Sequence, residues 1–86
     1  MIYPTHNYYH PHLGYSVQVT SITGDWVEFY NKVTAQLAWL ESRIFEHAFT
    51  HTGPGAQLTL DLPALREAAH QAGILVPWEF GTLKEH

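Results

Sequence analysis

The clearest hydrophobic pattern in this chain runs from about Asp25 to Phe49, where no proline or glycine intervenes. Trp26, Tyr30, Val33, Leu37, Leu40 and Ile44 recur there at spacings of four, three, four, three and four. That spacing predicts the seam of an amphipathic helix over 25–49, held for about three heptads. At ~1.5 Å per residue the helix would be ~37 Å long, more than a domain of this size is wide. With ~100° between successive residues, Trp39, Phe45 and Phe49 fall off the seam, so the helix carries apolar side chains on more than one side. The surplus face is expected to meet another chain.

Shorter patterns flank this segment. Residues 13–22, LGYSVQVTSI, alternate Leu13, Tyr15, Val17 and Val19 with smaller or polar residues, the period of a strand with one buried face. Thr23 and Gly24 then turn the chain, and Thr23 or Asp25 caps the helix. Residues 50–56, THTGPGA, read as a loop, and 57–60 as a short strand. Asp61 is placed as an N-cap with Pro63 in the first turn, and Leu62, Leu65, Ala69 and Ala72 form the stripe of a second helix over 62–72. Gly73 fits the left-handed residue that closes such a helix, with Ile74 folding back onto Ala69. Residues 74–80 read as an extended edge segment limited by Pro77. Pro4 and Pro11 make residues 1–12 an irregular arm rich in tyrosine and histidine. The expectation is one small α+β domain over 1–86, with one long amphipathic helix and a shorter C-terminal helix packed on a small antiparallel or mixed sheet of two to three strands.

Composition narrows the function classes. A chain of 86 residues with 45% hydrophobic residues supports one core and no second one. It has no cysteine, which removes disulfides, thiolate zinc sites and a cysteine nucleophile. Four Lys+Arg stand against eight Asp+Glu, none of the basic residues precedes Lys32, and the formal charge is −4. Such a chain is poorly equipped to neutralise phosphates, so direct nucleic-acid binding is not expected. No apolar run approaches the ~20 residues of a membrane span. The start MIYPTHNYYHPH has neither the basic nor the apolar region of a signal peptide, which makes the cytoplasm the expected compartment.

Candidate chemistry lies in two places. Continued past Ile44, the heptad reaches His47 and His51, one helical turn apart. That HxxxH spacing lets two imidazoles share a metal ion, with His6, His10 and His12 of the arm available to complete the shell. The candidate ligands are His47, His51, His10 and His12, for zinc or another divalent transition metal, although the motif lacks the glutamate of HExxH. The second place is the arm itself, uncharged through its first 24 residues and carrying Tyr3, Tyr8, Tyr9 and Tyr15. Tyrosine is enriched at binding surfaces because it offers contact area with few rotatable bonds. With Trp39, Phe45 and Phe49 these tyrosines are the candidate partner-binding residues.

Enzyme signatures are missing. Ser16, Ser21 and Ser42 lie in no GxSxG, and Gly53-Pro54-Gly55 has no GK[ST] ending. The sequence therefore reads as a non-catalytic protein-binding module, a small acidic inhibitor or antagonist of the kind phages encode, or an accessory subunit. Its partner would be another protein or a second copy of itself. The alternatives are a histidine metal-binding protein or small metalloenzyme, and a structural homodimer joined along the 26–44 seam.

Overall fold

The computed structural model describes residues 1–74. Their secondary structure is mostly strand, 42% against 23% helix. Five strands, β1 (His6–His10), β2 (Tyr15–Thr23), β3 (Trp26–Asn31), β4 (Gln36–Glu41) and β5 (Thr50–Pro54), form a single antiparallel sheet in the order β4-β3-β2-β1-β5. Two short helices, α1 (Ser42–Ala48) and α2 (Leu62–Gln71), pack against it.

The long helix expected over 25–49 does not exist. Its first half is a β-hairpin and its second half splits into α1 and the entry to β5. The reasons are local. Residues 26–30 are WVEFY, dense in the β-branched and aromatic side chains that suit a pleated surface. Gly24 and Asp25 form a two-residue loop between the paired residues Thr23 and Trp26, and Gly24 has φ 58°, the first-position geometry that a type II′ hairpin turn reserves for glycine. At the other end of β3, Asn31 Oδ1 accepts from the N–H groups of Val33 and Thr34, and Ala35 N–H donates to Asn31 O at 2.8 Å. Ala35 closes that loop at φ 58°. The supposed seam is scattered as a result. Leu37 faces one side of the sheet together with half-buried Trp26 and Tyr30, while Leu40 packs on the other side. Val33 sits in the turn and Ile44 points largely to solvent.

The irregular arm is also corrected, because its residues His6–His10 form β1, an interior strand paired to both β2 and β5. The strand expected at 57–60 is instead part of a connector outside the sheet, leading from β5 to α2. α2 lies where the second helix was expected. Asp61 Oδ1 accepts from Ala64 N–H at 3.2 Å, Pro63 occupies the first turn, and Gly73 at φ 80° follows the helix as Ile74 N–H returns to Ala69 O at 3.0 Å. Of the extended segment expected at 74–80, residues 75–80 lie outside the described residues.

The sheet has two buried faces. On the first, Tyr8, Val17, Val19, Val27 and Phe29 are covered by Phe45 of α1 and by Phe49. Phe45 and Phe49 stack with ring centroids 4.5 Å apart. On the second, Leu37 and Trp39 meet Ala69 of α2, with Leu62, Leu65 and Ile74 around them. Here two polar side chains are also buried, Gln18 and Glu28. Glu28 accepts from Arg66 Nε at 2.8 Å and Nη2 at 2.9 Å, from Trp39 Nε1 at 3.0 Å and from the Thr20 hydroxyl at 2.8 Å. A carboxylate this well bonded tolerates burial that an isolated one would not.

Candidate functional site

The first face continues past its core into a row of aromatic and imidazole rings at the β1/β5 end of the sheet. Residues 6, 8 and 10 of β1 share this face because strand side chains alternate, and β5 brings His51 opposite Tyr8. Tyr8 anchors the group. Its ring is buried against Phe45 with centroids 5.0 Å apart, while its hydroxyl accepts from Tyr3 N–H at 2.9 Å. That bond holds residue 3 over the strand.

Three rings then assemble at the surface. Tyr3 and His6 stack with centroids 5.0 Å apart, His6 and His51 stack at 5.0 Å with 18° between planes, and His6 Nδ1 lies 2.7 Å from His51 Nε2. At that distance one ring nitrogen donates and the other accepts, so the contact requires one of the two facing nitrogens to lack a proton. Further along β1, His10 stacks on Tyr15 at 5.4 Å, meets Phe49 edge-on and lies 6.1 Å from His12. Its Nδ1 also accepts from Leu13 N–H at 3.0 Å, which fixes the β1–β2 loop.

The candidate residues therefore divide. Tyr3 is exposed at 43% and Tyr9 at 39%, although Tyr9 points to the opposite face of β1; Tyr15 is half-buried. Tyr8, Phe45 and Phe49 are core, and Trp39 is buried on the second face as a donor to Glu28. The surplus apolar helix face thus disappears with the helix that was to carry it. His47 is an exposed residue in the last turn of α1, and His51 belongs to β5, so the two do not share a helical turn. The ring that meets His51 is His6. Among the described residues no three His, Asp or Glu side chains converge as a metal-binding group. Likewise, no helix among them is long and apolar enough to cross a membrane.

Sequence reasoning did not find the pairing of His6 with His51, because register across 45 residues is not encoded in local spacing. Nor did it single out Gln18 and Glu28. Each is a lone polar residue inside an apolar run, VQV and VEF, and that interruption was the available signal. Comparison of the chain with protein-family models, with curated proteins and with solved structures finds no match.

Proposed function

We propose that this protein is a non-catalytic binding module, an acidic antagonist or accessory subunit that engages a larger protein at the β1/β5 end of its sheet. The observation that carries this reading is the surface group Tyr3, His6 and His51, ordered by stacking and by the Tyr8 hydroxyl, beside an edge strand with no charged residue. Ordered aromatic surface loses little conformational freedom on binding. The edge strand adds a row of backbone donors and acceptors, which extended segments of other proteins use to extend a sheet. The net charge of −4 favours a partner with a basic rim. The compartment proposed with this reading is the cytoplasm.

The test is affinity capture from the source cells with wild-type protein and with Tyr3→Ala/His51→Ala, both checked for equal melting temperature. A protein captured by the wild type and lost with the variant supports the reading. Equal capture by both, or none by either, removes it. Light scattering at two concentrations tells a second copy of this chain from a different partner.

One observation favours a second reading, the convergence of two ring nitrogens at 2.7 Å. With the hydrogen bond between them opened and its proton released, His6 Nδ1 and His51 Nε2 would hold a divalent transition metal with water completing the shell, in place of the His47, His51, His10 and His12 set. Thermal shift in nickel or zinc against a chelator decides it, and an unchanged melting temperature removes it.

A further inference from the structure

The second face is covered only in part. α2 lies over its β4 side and the connector is tied to Gln18. Beyond them, Asn7 and Tyr9 of β1, paired with Gln18 and Ser16 of β2, carry the same face on toward the β1–β2 loop. Tyr9 and Ser16 are exposed there, and Asn7, Tyr30 and Lys32 are half-buried. Lys32, just past the end of β3, reaches across β2 and donates to Asn7 Oδ1 at 3.0 Å.

This uncovered part is a set of donors around one cation. An ammonium has no lone pair, so the Asn7 atom that faces Lys32 is the amide oxygen, and Nδ2 is left as a donor. Asn7 Nδ2 and the Tyr30 hydroxyl have no hydrogen-bond partner among the described residues, and neither is a buried unpaired atom, so both open to solvent. Lys32 has no ion-pair partner among the described residues. Its charge is also uncompensated nearby. β1 and β2 contain no Asp or Glu, Glu28 is held by Arg66, and Asp25 and Glu41 lie at the opposite end of the β3–β4 hairpin.

We infer that this part of the second face docks an acidic segment of a partner protein, whose carboxylate is taken by Lys32 and Asn7 Nδ2 while a neighbouring side chain lies on Tyr9. The Asn7 oxygen holds the ammonium in place without neutralising it. A carboxylate is a stronger acceptor for the N–H bonds that remain, and a side chain already held loses less freedom on binding. A basic segment would meet like charge. Tyr3, His6 and His51 lie on the other face of β1, so this contact goes beyond theirs and does not depend on it.

The experiment is an NMR titration of the full chain at about 0.15 M salt, where the long-range repulsion from a protein of charge −4 is screened. The probes are a capped triglutamate peptide flanked by tyrosines, its triglutamine counterpart, and sodium sulfate. The expected result is saturable shifts of the Asn7 side-chain amide and of the Tyr9 and Ser16 backbone amides with the glutamate peptide, and about fivefold weaker binding of the glutamine one. Lys32→Gln should remove that preference. Asn7→Asp, which gives Lys32 a carboxylate from within the chain, should remove it too. If Asn7→Asp does not fold, Lys32→Gln decides alone. Equal affinity for the two peptides, a preference that survives Lys32→Gln, shifts confined to the ring group, or no saturable shift would overturn the proposal. Sulfate binding as tightly as the glutamate peptide would also overturn it, leaving a general anion site in place of a protein contact.

Discussion

The two faces of the sheet are built on different principles. The first is closed by rings, with Tyr8, Phe29, Phe45 and Phe49 packed together and no charged residue in the core cluster. The segment that closes it, α1 and Phe49, follows β4 directly in sequence. The second face is closed by a connector and a helix from further along the chain, and it buries a carboxylate and an amide with their partners. Apolar packing fills space and tolerates many arrangements of similar volume. Buried hydrogen bonds have fixed partners, so the second face ties each covering segment to one position. Arg66 holds α2 through Glu28, and Gln18 holds the connector through Ala56.

The largest effect that would sharpen this contrast is expected from Phe45→Ala. It removes a fully buried ring at the centre of the first face and should destabilise the fold by about 3–5 kcal/mol, measured by chemical denaturation. A loss under about 1 kcal/mol would mean that this face is not a packed core. On the second face, Arg66→Met leaves Glu28 without its guanidinium partner. With the Arg66 side chain partly exposed, the loss should be smaller, about 1–3 kcal/mol. The double variant Arg66→Met/Glu28→Met should recover much of it, since no carboxylate then stays buried. A double variant less stable than Arg66→Met alone would contradict the pairing. The smallest effect is a control that touches neither face. Ala35 holds φ 58°, so Ala35→Gly should stabilise by about 0.5–1 kcal/mol at the β3–β4 turn, and a destabilisation would show that this residue is not left-handed.

The contrast also explains which parts of the fold were legible in the sequence. α2 was legible because its signals are local, Asp61 and Pro63 at one end and Gly73 at the other. β2 was legible by alternation, to within a few residues at each end. The segment 25–49 misled because an apolar residue every three or four positions fits a helix, while a hairpin with buried residues on both faces places apolar side chains without a strict period of two. Gly24-Asp25 followed by WVEFY was the competing signal, and it is the one that governs the fold. Of the candidate site, Tyr3 and His51 are legible by residue type, whereas the ring that meets them, His6, is singled out only by the register of β1 against β5. Tyr8, Phe45 and Phe49 look like binding residues by type, and only the sheet shows them to be its interior. Gln18 and Glu28 were passed over because strand polarity is read as exposure until something is known to cover it.

The place of β5 has a bearing on when the protein becomes competent. Strands β1 to β4 are joined by successive hairpins, so their pairing involves neighbours in sequence. β5 instead returns to the far side of β1, and the contact it makes there joins residues as distant as His6 and Pro54. Closing so large a loop is the step that topology makes slow. Because His51 arrives on that same strand, a nascent or truncated chain ending before residue 50 would lack one of the three rings of the group, and any partner that reads Tyr3, His6 and His51 together would meet them only once β5 has docked.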